Sequence, residues 1–244
     1  MDHDHTLFHR DDVVALRHDL ALSLRAAAHH GLGEGICNHF SVMLGGNSGL
    51  FLINPHGLHW AEVGPDDIVL VDERGERVAG AHGVERTAMF IHAAVHKLAG
   101  KTCVLHTHMP HATALTVTPS GKLNTKLSQN AMRFHRRVAF DADYNGLAFD
   151  ETEGERIAAA LQGADVAFLA NHGVVVCGES LAAAYDDLYY LERACQLEVL
   201  ARSMGGGLAE VSDQVAEATA AQFARDRDQS RLFFEALRRE LPLP

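Results

Sequence analysis

Apolar side chains recur at helical spacing from Val13 to Leu24 (Val13, Val14, Leu16, Leu20, Leu22, Leu24), which predicts a helix over residues 11–31. Asp11 or Asp12 is placed to cap its start, and Gly31 with Gly33 to end it. The texture changes over residues 39–82. There, short apolar runs (Phe40 to Leu44, Leu50 to Ile53, Ile68 to Val71) alternate with Gly, Asn, Pro and Asp turns, the pattern of antiparallel strands. Residues 85–99 return to helical spacing, and Cys103-Val104-Leu105 reads as a buried strand ending at His106. Pro110 suits a first helical turn, so a helix to about residue 117 follows. Residues 119–150 read as loop or strand. A helix over 152–162 opens with Thr152 and Glu155 in a capping-box pattern. Val166 to Ala170 and Val174 to Val176 are further strands, and helices are predicted over 180–202 and 212–240.

Gly205-Gly206-Gly207 separates the last two helices and could act as a linker. No separate core follows it, while Val215, Ala218, Phe223, Phe233 and Phe234 need a surface to pack on. The expectation is therefore a polar arm over 1–10 and one domain over 11–244, with the C-terminal helix docked.

Composition narrows the function classes. The chain has 244 residues, 47% hydrophobic and 22% charged, ordinary values for a soluble globular domain. A formal charge of −11 with no Lys/Arg block argues against nucleic acid or an anionic membrane surface as a partner. No apolar run approaches the roughly 20 residues that cross a bilayer. The polar, acidic start (Met1-Asp2-His3-Asp4-His5) is unlike a secretory signal. Cys37, Cys103, Cys177 and Cys195 are widely spaced, as expected of reduced thiols in a cytoplasmic protein.

The count of 17 histidines is high, and position decides which of them matter. His106 and His108 flank Thr107 at a strand end, so pleat alternation points both to one side. His172, in Asn171-His172-Gly173, follows a second apolar run that can reach the same end of a sheet. Three neutral imidazoles leave one position open on an ion, which is the catalytic type of zinc site. The plainer reading of a His-x-His pair is two hydrogen-bonded histidines at a strand end. Glu85 opens the helix before the pair. A carboxylate there could move a proton, or could simply favour the helix N-terminus. An open metal site beside a carboxylate suits the stabilisation of a developing enediolate. His92 and His96 lie four apart, but no His-Glu-x-x-His motif accompanies them, so they read as packing or hydrogen-bonding residues. Met1-Asp2-His3 could chelate copper or nickel and reads as a flexible arm with incidental affinity.

These residues resemble the class II aldolase/adducin family, over about residues 11–202. The resemblance rests on Gly35-Ile36-Cys37-Asn38-His39-Phe40-Ser41, Ile53-Asn54-Pro55-His56-Gly57, His106-Thr107-His108, Asn171-His172-Gly173 and Tyr190-Leu191-Glu192-Arg193-Ala194-Cys195. Ser128 to Phe134 looks like the bacterial adducin-like branch. The resemblance implies a three-layer α/β/α fold around a largely antiparallel sheet. It also implies a homotetramer with active sites at subunit interfaces, and a divalent metal, zinc or alternatively manganese, on His106, His108 and His172. Family members include aldolases, epimerases, a dehydratase and decarboxylases, while adducin itself is not catalytic.

Two departures bear on the substrate. Gly83 and Val84 stand where family aldolases place phosphate-holding serines, and Asn38-His39 stands where they place Gly-Asn. An unphosphorylated substrate is therefore expected. Glu85 sits seven residues before His92 where the family spacing is commonly four, on the same helical face one turn higher. His135 or Gln129 falls where some aldolases supply a tyrosine, and neither is assigned a role. The resulting expectation is an aldolase-type lyase acting on a small hydroxy-carbonyl or keto-acid compound. Glu85 would carry the proton, and Asn38, His39 and Gly57 would contact the substrate. An epimerase, dehydratase or decarboxylase on the same site, and a non-catalytic adducin-like scaffold, are the alternatives.

Overall fold

The computed structural model describes residues 6–45, 48–147, 151–226 and 228–242. Met1-Asp2-His3 lies outside the described residues. In chain order the elements are α1 (Asp11–His29), β1 (His39–Met43), β2 (Leu50–Ile53), β3 (Val69–Asp72), β4 (Arg77–Ala79) and α2 (Arg86–Leu98). Then come β5 (Cys103–Thr107), α3 (Pro110–Thr116), α4 (Gln129–Met132), β6 (Val138–Asp141), α5 (Glu151–Ala160) and β7 (Val166–Leu169). The chain continues through β8 (Gly173–Gly178), α6 (Leu181–Ser203), α7 (Asp213–Arg225) and α8 (Asp228–Glu240).

The strands form one sheet in the order β4-β3-β2-β1-β5-β8-β7-β6. Every pairing is antiparallel except β6 with β7, which are joined through α5, the crossover that a parallel pair requires. Strand β5 is buried along its whole length because it faces a helical layer on each side. Cys103 and Leu105 enter a core with Leu20 and Leu24 of α1 and Leu188 and Leu191 of α6. Val104, on the other face, meets Ile91 and Val95 of α2 and Ile157 of α5. Each such fully buried side chain contributes about 1.5–3 kcal/mol. The α2–α5 contact is close enough to require Gly154, where an added Cβ would lie 2.2 Å from the Phe90 carbonyl oxygen.

The three-layer, largely antiparallel expectation matches this architecture. Local details differ. Thr152 lies inside α5, not at its cap, since the helix already includes Glu151. The helix expected over 212–240 is two helices, α7 ending where Asp226 leaves helical geometry (φ −101°, ψ 54°). The two pack differently: Phe223 of α7 faces the Arg133 guanidinium, while Phe234 and Leu237 of α8 enter the main core. The region over 119–150 contains α4, capped by Ser128, and β6. Among the described residues, no helix is long and apolar enough to cross a membrane.

Candidate active site

His106 lies within β5, on the face it shares with Val104, and pairs in register with His39 of β1 and Val175 of β8. Strand β5 ends at Thr107, so His108 is one residue beyond the pleat. Its direction is therefore set by contacts. The His108 backbone N–H donates to Asn38 Oδ1 at 3.2 Å, and its Nδ1 lies 2.6 Å from Glu34 Oε2. Gly173 leaves the ring its space: a Cβ there would come within 2.7 Å of His108 Cδ2 and 2.6 Å of the Thr107 carbonyl oxygen. His172 sits in the turn between β7 and β8, its N–H donating to the Leu169 carbonyl at 3.1 Å. Asn171 beside it takes φ +55° and Asn38 takes φ +76°, left-handed conformations that asparagine tolerates better than most residues.

The structure brings the three rings together. Ring centroids are 4.8 Å (His106–His172), 4.9 Å (His108–His172) and 5.2 Å (His106–His108) apart. One nitrogen from each lies within 4.8 Å of those of the other two. Val174's carbonyl can only accept, so His106 Nδ1, 3.0 Å away, carries the proton and leaves Nε2 bare. The carboxylate of Glu34 orients His108 in the same sense, and His108 Nε2 is buried without a partner. His172 Nδ1 is also buried and unpartnered. Burial, with His172 and His108 adding to it, holds His106 well below the ordinary histidine range. Burial, then His108 and Arg156, brings His172 down to about 4. Both rings are neutral at pH 7, with lone pairs available. An unsatisfied buried nitrogen costs about 1–3 kcal/mol, so this geometry fits a metal ion far better than an empty corner.

Glu85 occupies the cap position of α2, but its side chain makes no capping hydrogen bond. Its Oε1 accepts from Thr87 Oγ1 at 2.8 Å, and its Oε2 lies 3.2 Å from His39 Nε2. That approach is out of line for a hydrogen bond, so His39 Nε2 is left without a partner. Burial outweighs the pull of Glu85 and brings His39 down to about 4. Glu85 keeps 33% of its side chain exposed. Asn38 is buried, and its side-chain oxygen is committed to His108. Gly57 (φ +87°) follows β2 in a loop tied to the segment before Glu85, where His56 N–H donates to the Gly83 carbonyl at 2.9 Å. Glu34, between two glycines far along the chain from His108, carries no sequence signal of its role. A cavity of about 620 Å³ lies instead against the outer side of α2, beside Arg86, Met89 and Lys97. It contains none of the three histidines, and converging bare nitrogens mark the chemistry better than volume does.

The family model for the Class II Aldolase and Adducin N-terminal domain matches residues 18–199. The chain belongs to the class II aldolase and adducin family. A Pseudomonas aeruginosa protein named for the class 2 aldolases is 33% identical over 201 residues, covering 82% of this chain and 76% of its own. Decarboxylase NovR of Streptomyces niveus is 30% identical over 205 residues, covering 83% of this chain and 75% of its own. Among solved structures, an aldolase II superfamily protein from Pseudomonas syringae superposes with a TM-score of 0.88 at 31% identity, covering 97% of this chain and 96% of its own. Class II aldolase superfamily members are metal-dependent lyases, decarboxylases or epimerases, typically using a divalent metal, and adducins are not enzymes.

Proposed function

We propose that the protein is a divalent-metal-dependent lyase of aldolase type, breaking or forming a C–C bond next to a carbonyl in a small, unphosphorylated hydroxy-carbonyl or keto-acid compound. The observation that carries this reading is the convergence of three neutral or carboxylate-oriented histidines with nitrogens within 4.8 Å of one another. His106, His108 and His172 would hold the ion, zinc or manganese. When bound, it supplies Lewis-acid polarisation of a carbonyl. Glu85 would take the proton of the substrate hydroxyl as the adjacent C–C bond breaks and deliver it to the carbon that bond leaves behind; in the bond-forming direction it would take that proton from carbon and return it to the hydroxyl oxygen. His39 stands against Glu85, Asn38 keeps His108 in place, and the Gly57 loop closes the substrate side. Gly83 and Val84 offer no hydroxyl to a phosphate, which supports the unphosphorylated class. The assembly in this reading is a cytoplasmic homotetramer with sites at subunit interfaces.

Metal analysis and assay of unphosphorylated hydroxy-keto acids test the proposal together. The expected result is one divalent ion per chain and C–C cleavage that EDTA abolishes and added metal restores. Protein that takes up no metal when zinc and manganese are offered would overturn it and favour a non-catalytic scaffold. Decarboxylation is the second reading, favoured by the 30% identity to Decarboxylase NovR over most of both chains. Mass identification of products separates carbon dioxide release from aldol cleavage, and from epimerisation or dehydration on the same site.

A further inference from the structure

His108 hangs between two anchors. On its amino-terminal side, β5 is held by pairing with β1 and β8. On its carboxy-terminal side, Met109 and Pro110 lead directly into α3, a helix of seven residues with no side-chain cap from Met109. So short a helix does not hold itself in water. Its first free N–H groups converge on one carboxylate from α6. His111 N donates to Glu192 Oε1 at 2.9 Å, Ala112 N to Oε2 at 2.9 Å, and His111 Nδ1 lies 2.7 Å from Oε1. Glu192 is 6% exposed and comes from 81 residues further along the chain.

We propose that Glu192 is a positioning residue for the metal centre. By clamping the start of α3 it fixes the second end of the segment that carries His106 and His108, and so the spacing of those ligands relative to His172. The inference rests on the histidines being the metal site. Sub-ångström ligand placement governs affinity, so a residue that never touches the ion can still set it.

Glu198 provides the internal control. It lies on the same helix, is 1% exposed, and accepts from Asn124 N at 2.7 Å and Arg202 Nε at 2.9 Å, holding the segment at Asn124 and not the start of α3. The experiment titrates Co²⁺ into EDTA-stripped protein and follows visible absorption, well below the melting temperature of each variant. Glu192→Gln keeps the side-chain size but turns an amide NH₂ against N–H donors. It should weaken Co²⁺ binding about 10–100-fold and shift the absorption band. Glu198→Gln should lower the melting temperature yet bind Co²⁺ like the parent. Equal affinity in all three proteins, or equal losses in both variants, overturns the proposal. Should Glu192→Gln fail to fold, His111→Phe deletes only one of the three bonds, and parental Co²⁺ affinity there overturns it equally. A parent protein that takes up no Co²⁺ sinks the metal reading itself, and this inference with it.

Discussion

Two groups of histidines, one buried and one half-buried, share one face of the sheet and are wired differently. In the first, the Lys101 carbonyl accepts from His96 Nδ1 at 2.6 Å, which leaves His96 Nε2 to accept from Ser41 Oγ at 2.7 Å. Ser41 Oγ in turn accepts from His92 Nδ1 at 2.6 Å, so three of the four nitrogens are consumed within the chain of bonds and His92 Nε2 alone is left buried without a partner. In the second group, Val174 and Glu34 hold the outward nitrogens of His106 and His108, and bare nitrogens face one another. Burial does not separate the two groups. It lowers His92 and His106 well below the usual range and brings both His96 and His172 to about 4. A lone bare nitrogen, such as His92 Nε2, does not make a metal site; three that converge within 4.8 Å of one another can.

That contrast can be broken most severely at the ligands. His106→Ala should abolish stoichiometric metal binding and the associated turnover, as read by elemental analysis and assay. Next in size is acid. With a folded-state pKa near 4 against about 6.5 unfolded, His96 stays neutral in the native protein. Its contribution is fully present above pH 6.5 and is lost as pH falls towards 4, roughly 3 kcal/mol by linkage. Denaturant titrations of metal-free protein between pH 7 and 4 should show this fall, and His96→Gln should make it shallower. Glu34→Gln should weaken metal binding about 10–100-fold with little change in stability, because it loosens the orientation of His108. Unchanged affinity there would show that Asn38 and Gly173 suffice to aim the ring. Ser41→Ala should cost about 1–3 kcal/mol in denaturant while leaving metal affinity untouched. A loss of metal in Ser41→Ala would erase the distinction between the two groups.

Much of this was legible in the chain. The apolar runs at Leu50 to Ile53 and Val166 to Ala170 mark strands because both of their faces are covered, and periodicity over 11–31 and 85–99 marks helices. His106, His108 and His172 were legible as a set through two motifs at strand ends. For His108 the pleat is not the physical cause. The strand stops before it, and the bond its backbone N–H donates to the Asn38 side chain, with the absent side chain of Gly173, does what the pleat does for His106. Glu34 and Glu192 were not legible in these roles, since each acts across a long sequence separation. The break between α7 and α8 escaped a reading based on apolar spacing because both helices carry aromatic faces, aimed at different partners.

The pairing of β5 with β8 also sets when the site comes into being. His106 and the Val174 carbonyl that orients it are 68 residues apart, and they meet only when two strands from different halves of the chain have zipped together. Such non-local pairing is slow to form. An ion that needs His106 and His172 in place at once therefore has nothing to grip until folding is nearly complete. Metal should act as a latch on the finished molecule, slowing unfolding while leaving the refolding rate unchanged, and stopped-flow kinetics with and without the ion would show it.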